Sequence, residues 1–165
     1  MKTKPKFRGR IRVRCYDKDG KLKWTAKGRN GIVDVGIEDL LNVVFGGSAA
    51  TGTWFIGLLD GASAPTLAPA DTMGSHAGWT EFTNYSEASR PAWTEDVAAN
   101  REMTNTTDVA FSINGAGGIV AGIIIVSNST KGGATGVLWA TGLFDEGNRA
   151  VVTGDTLNIT YTISG

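Results

Sequence analysis

The sequence predicts an all-β fold: a β-sandwich or jelly-roll-like domain of about eight to ten short strands, with one short helix near 35–45. Three observations carry that prediction. Val109/Phe111/Ile113 and Leu157/Ile159/Tyr161/Ile163 alternate apolar and polar residues at a period of two, as half-buried strands do. Trp54–Leu59 and Ile119–Val126 are apolar on both faces and fit strands covered on both sides. Turn signals such as Asp19-Gly20, Gly115–Gly118 and Gly154-Asp155 separate the runs. A chain of 165 residues can bury a core without staples, and its single cysteine, Cys15, allows no internal disulfide.

Taken in order, the chain opens on a cationic hairpin. Phe7 to Tyr16 puts Phe7, Ile11, Val13 and Cys15 on one face and Arg8, Arg10, Arg12 and Arg14 on the other. Asp17-Lys18-Asp19-Gly20 is a turn, after which Leu22, Trp24 and Ala26 face inward and Lys21, Lys23 and Lys27 outward. Asn30-Gly31 closes this arm. The formal net charge is zero, yet residues 1–30 carry 12 Lys/Arg against Asp17 and Asp19, while residues 31–165 carry 4 against 14 Asp/Glu. A basic arm (1–29) on an acidic body (30–165), within a single domain overall, implies partners. Nothing inside the hairpin cancels its charge, so the face calls for an acidic surface or a polyanion.

Asp34 can cap a helix in which Ile37, Leu40, Leu41, Val44 and Phe45 recur at helical spacing, with Gly46-Gly47 as the stop. The strands Trp54–Leu59, Val109–Ile113, Ile119–Val126, Val137–Phe144, Val151-Val152 and Leu157–Ile163 then follow. Gly142 reads as a bulge. Trp24, Trp54 and Trp139 sit in strand patterns and read as core.

The stretch Asp71–Trp93 stands apart. It holds the only histidine, His76, with Trp79, Phe82, Tyr85, Arg90 and Trp93. Trp79, Glu81, Thr83 and Tyr85 would share one strand face, so neither face is purely apolar. An aromatic-rich excursion on a β frame suits an interface formed by these residues.

His76 has no partner at metal-ligand spacing, and Gly74-Ser75-His76-Ala77-Gly78 does not match a nucleophile elbow. Asp17–Gly20 lacks the further ligands of a calcium loop, and the glycines at 115–122 lack dinucleotide spacing. Cys15 reads as a buried thiol. The expectation is therefore a non-enzymatic protein with no cofactor and no metal. There is no apolar run near the ~20 residues of a membrane span, and the basic N-terminus has no apolar segment of a signal peptide behind it.

Several segments resemble small virion proteins of tailed bacteriophages: Asn30-Gly31-Ile32-Val33 with the helix after it, Trp54-Phe55-Ile56-Gly57-Leu58, Asp71-Thr72, and His76-Ala77-Gly78-Trp79-Thr80-Glu81. Tyr85-Ser86, Arg90-Pro91 and the closing Gly154-Asp155-Thr156-Leu157 belong with them. The resemblance spans residues 30–165, is strongest over 54–93, and points to capsid cement (decoration) proteins. It implies a β-rich protein on the exterior of the virion capsid, made in the host bacterial cytoplasm. Its implied partners are the major capsid protein and the chain itself, as a homodimer or homotrimer. A tail or head–tail connector component is the alternative within the virion. A carbohydrate-binding β-sandwich, stacking sugars on Trp79, Trp93 and Tyr85, is the alternative outside it. Nucleic acid is disfavoured, because the acidic body repels it and the cationic face has no interleaved aromatics.

Overall fold

The computed structural model describes residues 7–165 and bears out the all-β class, with eleven strands and one helix among them. The strands are β1 (Arg8–Tyr16), β2 (Leu22–Ile32), β3 (Trp54–Asp60), β4 (Glu81–Phe82), β5 (Ala92–Trp93) and β6 (Glu102–Thr104). They continue with β7 (Val109–Ser112), β8 (Gly118–Val126), β9 (Leu138–Phe144), β10 (Arg149–Val151) and β11 (Thr156–Ser164), while α1 spans Asp34–Val44.

All pairings are antiparallel and belong to one continuous sheet, whose main path runs β4-β3-β8-β9-β2-β1-β11-β6. Its two ends are tied together through the backbone. Ser86 N–H donates to Ser112 O at 2.8 Å, Asp96 N–H to Thr104 O at 2.7 Å, and Thr106 N–H to Thr94 O at 2.9 Å. The sheet therefore rolls over a single interior rather than dividing into two separate sheets. Phe82 of β4, Trp93 of β5 and Tyr161 of β11 lie in one core cluster, with Trp93 and Tyr161 in edge-to-face contact at 5.5 Å.

The hairpin is not an arm. β1 pairs with β11 over nine residue pairs, Arg8↔Ser164 to Tyr16↔Thr156, and β2 pairs with β9 from Gly28↔Phe144 to Ile32↔Ala140. The physical reason is the apolar face. Ile11, Val13, Cys15 and Ala26 are fully or almost fully buried in the interior, and two strands alone could not bury them. Asn30-Gly31, read as the end of the arm, lies within β2, and Asn30 Nδ2 donates to Tyr161 Oη at 2.6 Å. Residues 1–6 of the expected arm lie outside the described residues. The turn reads as anticipated: Asp17 Oδ1 accepts the amides of Asp19 and Lys21, each at 2.9 Å, and Gly20 sits at φ 77°.

The helix forms where its apolar spacing placed it, although Asp34 is its first residue rather than its cap. Val33 holds the cap position, without a side-chain hydrogen bond. Gly36 lets α1 lie close on β9, since a Cβ there would come within 2.6 Å of Trp139 O. Gly142 is not a bulge. It pairs regularly with Ile123 and Asn30, and the register shifts fall instead at Cys15/Tyr16, Leu59/Asp60 and Ile125/Val126. What Gly142 provides is space, because a Cβ would meet Ile11 Cδ1 at 2.7 Å.

β3, β8 and β9 are covered on both faces, as their continuous apolar runs require. Their outer face carries a second core cluster, in which Leu59, Ile124, Val126 and Leu138 pack under Met73, Trp79 and Val33.

Candidate functional site

Two regions were candidates in the sequence, and the fold treats them in opposite ways. Within Asp71–Trp93, only Glu81–Phe82 and Ala92–Trp93 are strands, so the shared strand face expected for Trp79, Glu81, Thr83 and Tyr85 does not form. The segment instead crosses from the outer cluster to the interior. Trp79 is 4% exposed and donates from Nε1 to Asp71 Oδ2 at 2.9 Å. Phe82, Tyr85 and Trp93 are 4%, 1% and 2% exposed and belong to the interior cluster. Burial pushes the Tyr85 hydroxyl well above its ordinary range.

Arg90 is buried too, at 1% exposure. Its Nε and Nη2 donate to the two carboxylate oxygens of Glu81 at 2.9 and 2.8 Å, while Nη1 and Nη2 donate to Asn128 O and Gly133 O. This clamp pins the loop before β5 to the loop between β8 and β9. His76 is half-buried, stacked on the Trp79 ring with centroids 3.7 Å apart. The expected interface role of Trp79, Phe82, Tyr85, Arg90 and Trp93 is therefore corrected. Their contact surface is mostly spent inside the chain, and the same burial leaves the rings of Trp79, Tyr85 and Trp93 without an exposed flat face for a sugar ring.

The cationic region stays outside. Arg8, Arg10, Arg12, Lys21, Lys23 and Lys27 are exposed, and Arg14 is half-buried. In the β1–β2 register, Arg12 faces Lys27 and Arg10 faces Arg29. Arg29 was missed in the sequence because the second strand was read as ending at Lys27. It continues to Ile32, and the odd-numbered parity that exposes Lys27 exposes Arg29 as well.

Three of the cations find carboxylates in the same chain. Arg10 meets Glu102 at 2.6 Å, Lys23 meets Asp155 at 2.5 Å, and Arg14 pairs with Asp108. Those hydrogen bonds hold the Arg14 and Lys23 side chains above their ordinary pKa values. Asp155 is 2% exposed and also accepts the Val152 amide, so the closing Gly154-Asp155 is a buried anchor for Lys23. These three carboxylates all lie outside the hairpin, on β6 and on loops folded beside β11, and they neutralise part of its cationic face.

Among the described residues, Arg8, Arg12, Lys21, Lys27 and Arg29 have no carboxylate within salt-bridge distance. Arg10, Arg12, Lys27 and Arg29 line a depression of about 450 Å³, floored toward β11 by Thr160 and Thr162 and edged by Asp145. Like charges placed directly opposite on a sheet are unfavourable by up to about 1 kcal/mol per pair. The Arg12–Lys27 pair keeps that penalty in the free chain, and an anionic surface laid over it relieves it.

No group of three or more His, Cys, Asp or Glu residues is arranged to hold a metal among the described residues, and no helix there is long and apolar enough to cross a membrane. No protein-family model matches the chain, and comparison with curated proteins finds no match.

Proposed function

We propose that this chain is a non-enzymatic virion structural protein, a cement or decoration protein that binds the outside of a bacteriophage capsid shell. The major capsid protein and further copies of itself are its partners. The observation that carries the reading is the ordered cationic face of β1 and β2, with Arg12 opposite Lys27 and, among the described residues, no carboxylate within salt-bridge distance of either side chain. Such a face fits an acidic protein surface. The phage-like segments add support, and the clamp of Arg90 on Glu81 gives Arg90-Pro91 and Thr80-Glu81 a shared structural reason to occur together.

Exposed ion pairs contribute only about 0–1 kcal/mol each, so the face sets register and partner choice more than total affinity. The test uses capsids stripped of the protein, to which the purified chain is added back. Occupancy should fall as salt rises, because the Debye length shrinks from about 10 Å at 0.1 M to about 3 Å at 1 M. Arg12→Ser with Lys27→Ser should lower occupancy at low salt without lowering the melting temperature, since it removes a like-charge pair. Occupancy indifferent to both changes removes the role of this face. Binding confined to tail or neck, at about a dozen copies or fewer per particle, moves the protein to the connector.

A further inference from the structure

Four of the eight large apolar side chains exposed among the described residues lie on α1 or beside it. Phe45 is 82% exposed, Val44 58%, Leu41 50% and Phe7 46%, and all four lie on α1 or beside the depressions that flank it. α1 lies across the open end of the rolled sheet without sealing it. Beside Leu40 is a mainly apolar depression of about 460 Å³, walled by Phe7, Leu40, Met103, Trp139 and Ile163, with Arg101 and Glu102 at its border. Beside Ile37, in its earlier half, a second depression is walled by Phe7, Ile32, Arg8 and Arg29. Phe7 is common to both, so the two depressions adjoin along α1 as a trough, with cations on the side of Ile37 and mainly apolar walls on the side of Leu40.

The exposed stripe of α1 has the complementary order. Asp34, Glu38, Leu41 and Phe45 fall at positions i, i+4, i+7 and i+11, within about 60° of one another on a helix turning 100° per residue. The two acids come first and the two apolar residues last. Neither Asp34 nor Glu38 has a cationic partner within salt-bridge distance among the described residues.

We infer that the trough beside α1 is the self-association surface of this protein, and that its occupant is the α1 of a second copy. With the two helices side by side and parallel, about a two-fold axis along them, Asp34 and Glu38 of one copy meet Arg8 and Arg29 of the other. Leu41 and Phe45 enter the apolar part. A cavity of about 150 Å³ accepts a benzene ring, so the apolar depression has room for both side chains. Charge order favours the parallel arrangement, because an antiparallel pair would offer the acids Arg101 beside the like-charged Glu102 instead of the two cations, and would set Phe45 between Arg8 and Arg29. The inference deepens the oligomeric part of the proposed function, and its test needs no capsid, so the two fail separately.

The test is sedimentation velocity of the full chain from about 1 to about 500 µM. The 17.3 kDa chain should sediment as a dimer at the upper end. Leu41→Ser with Phe45→Ser should raise the dissociation constant by tenfold or more, whereas Leu22→Ser, an equally exposed leucine at the hairpin turn, should leave it unchanged. Glu38→Arg and Arg29→Glu should each weaken the dimer, and the two together should restore it. Melting temperature and far-ultraviolet circular dichroism confirm that each variant folds. A chain monomeric throughout that range overturns the inference. A dimer indifferent to the Leu41 and Phe45 changes overturns the surface, and a double charge reversal no better than the single ones overturns the pairing.

Discussion

Arg90 and Cys15 show how single side chains are committed in this protein. Arg90 has 0% of its side chain exposed and Glu81 6%, and the guanidinium spends its donors on that carboxylate and two loop carbonyls. Removing one partner of a buried pair leaves an uncompensated charge in the interior, at a cost of about 3–5 kcal/mol. Arg90→Met should lower stability to urea by that amount, and adding Glu81→Gln should recover part of it. A loss under about 1 kcal/mol would mean that water reaches the clamp. Cys15 is fully buried on β1, and desolvation first, then the nearby Asp155 charge, pushes its thiol up to about 12. A folded pKa raised above the ordinary 9.0 gives stability that is complete below pH 9.0 and lost as pH rises toward about 12. The urea midpoint should therefore fall between pH 8.5 and pH 10.5 more steeply for the wild type than for Cys15→Ala. Parallel pH profiles for the two proteins would contradict this. The native thiol should also resist a thiol-reactive dye at pH 8 until the chain is unfolded.

At the scale of elements, glycines set how closely β2, β8 and β9 approach. A Cβ on Gly122 would fall 2.0 Å from Gly142 O, and one on Gly28 2.3 Å from Leu143 O. Both contacts are to backbone, which cannot swing aside as the end of a flexible side chain can. Gly122→Ala should therefore destabilise by about 1–3 kcal/mol, the usual cost of overpacking, in spite of the better strand propensity of alanine. An unchanged melting temperature would show that β8 and β9 can separate without loss. At Gly31 a Cβ would meet nothing within 4 Å, so Gly31→Ala is the control for glycine replacement itself.

For the whole molecule, rolling one sheet makes the strands at opposite ends of the chain mutually dependent. β1 sits between β2 and β11, and the interior holds side chains from β1 through β11. Unfolding should be a single cooperative transition, with the amides of Ile11 and Val13 as protected from hydrogen exchange as those of Ile123 and Ile125. A hairpin that exchanges early while the body stays protected would restore the picture of a basic arm on a separate body.

Much of this fold is legible in one dimension because its signals are local. Period-two alternation found β1, β7 and β11, and the doubly apolar runs found β3 and β8. Helical spacing with Gly46-Gly47 located α1, and glycine marked the turns. Alternation also gave the cationic face, since side chains on a strand must point to opposite sides. What the sequence could not determine is where each face goes once the sheet rolls. Whether Trp79 and Trp93 contact a partner or the chain's own core depends on contacts far apart in sequence, such as Trp93 with Tyr161. Whether an arginine stands free depends on carboxylates such as Glu102 of β6 and Asp108 in the loop after it, more than ninety residues from their partners. Burial and charge pairing are properties of surfaces brought together, and only the rolled sheet brings them together.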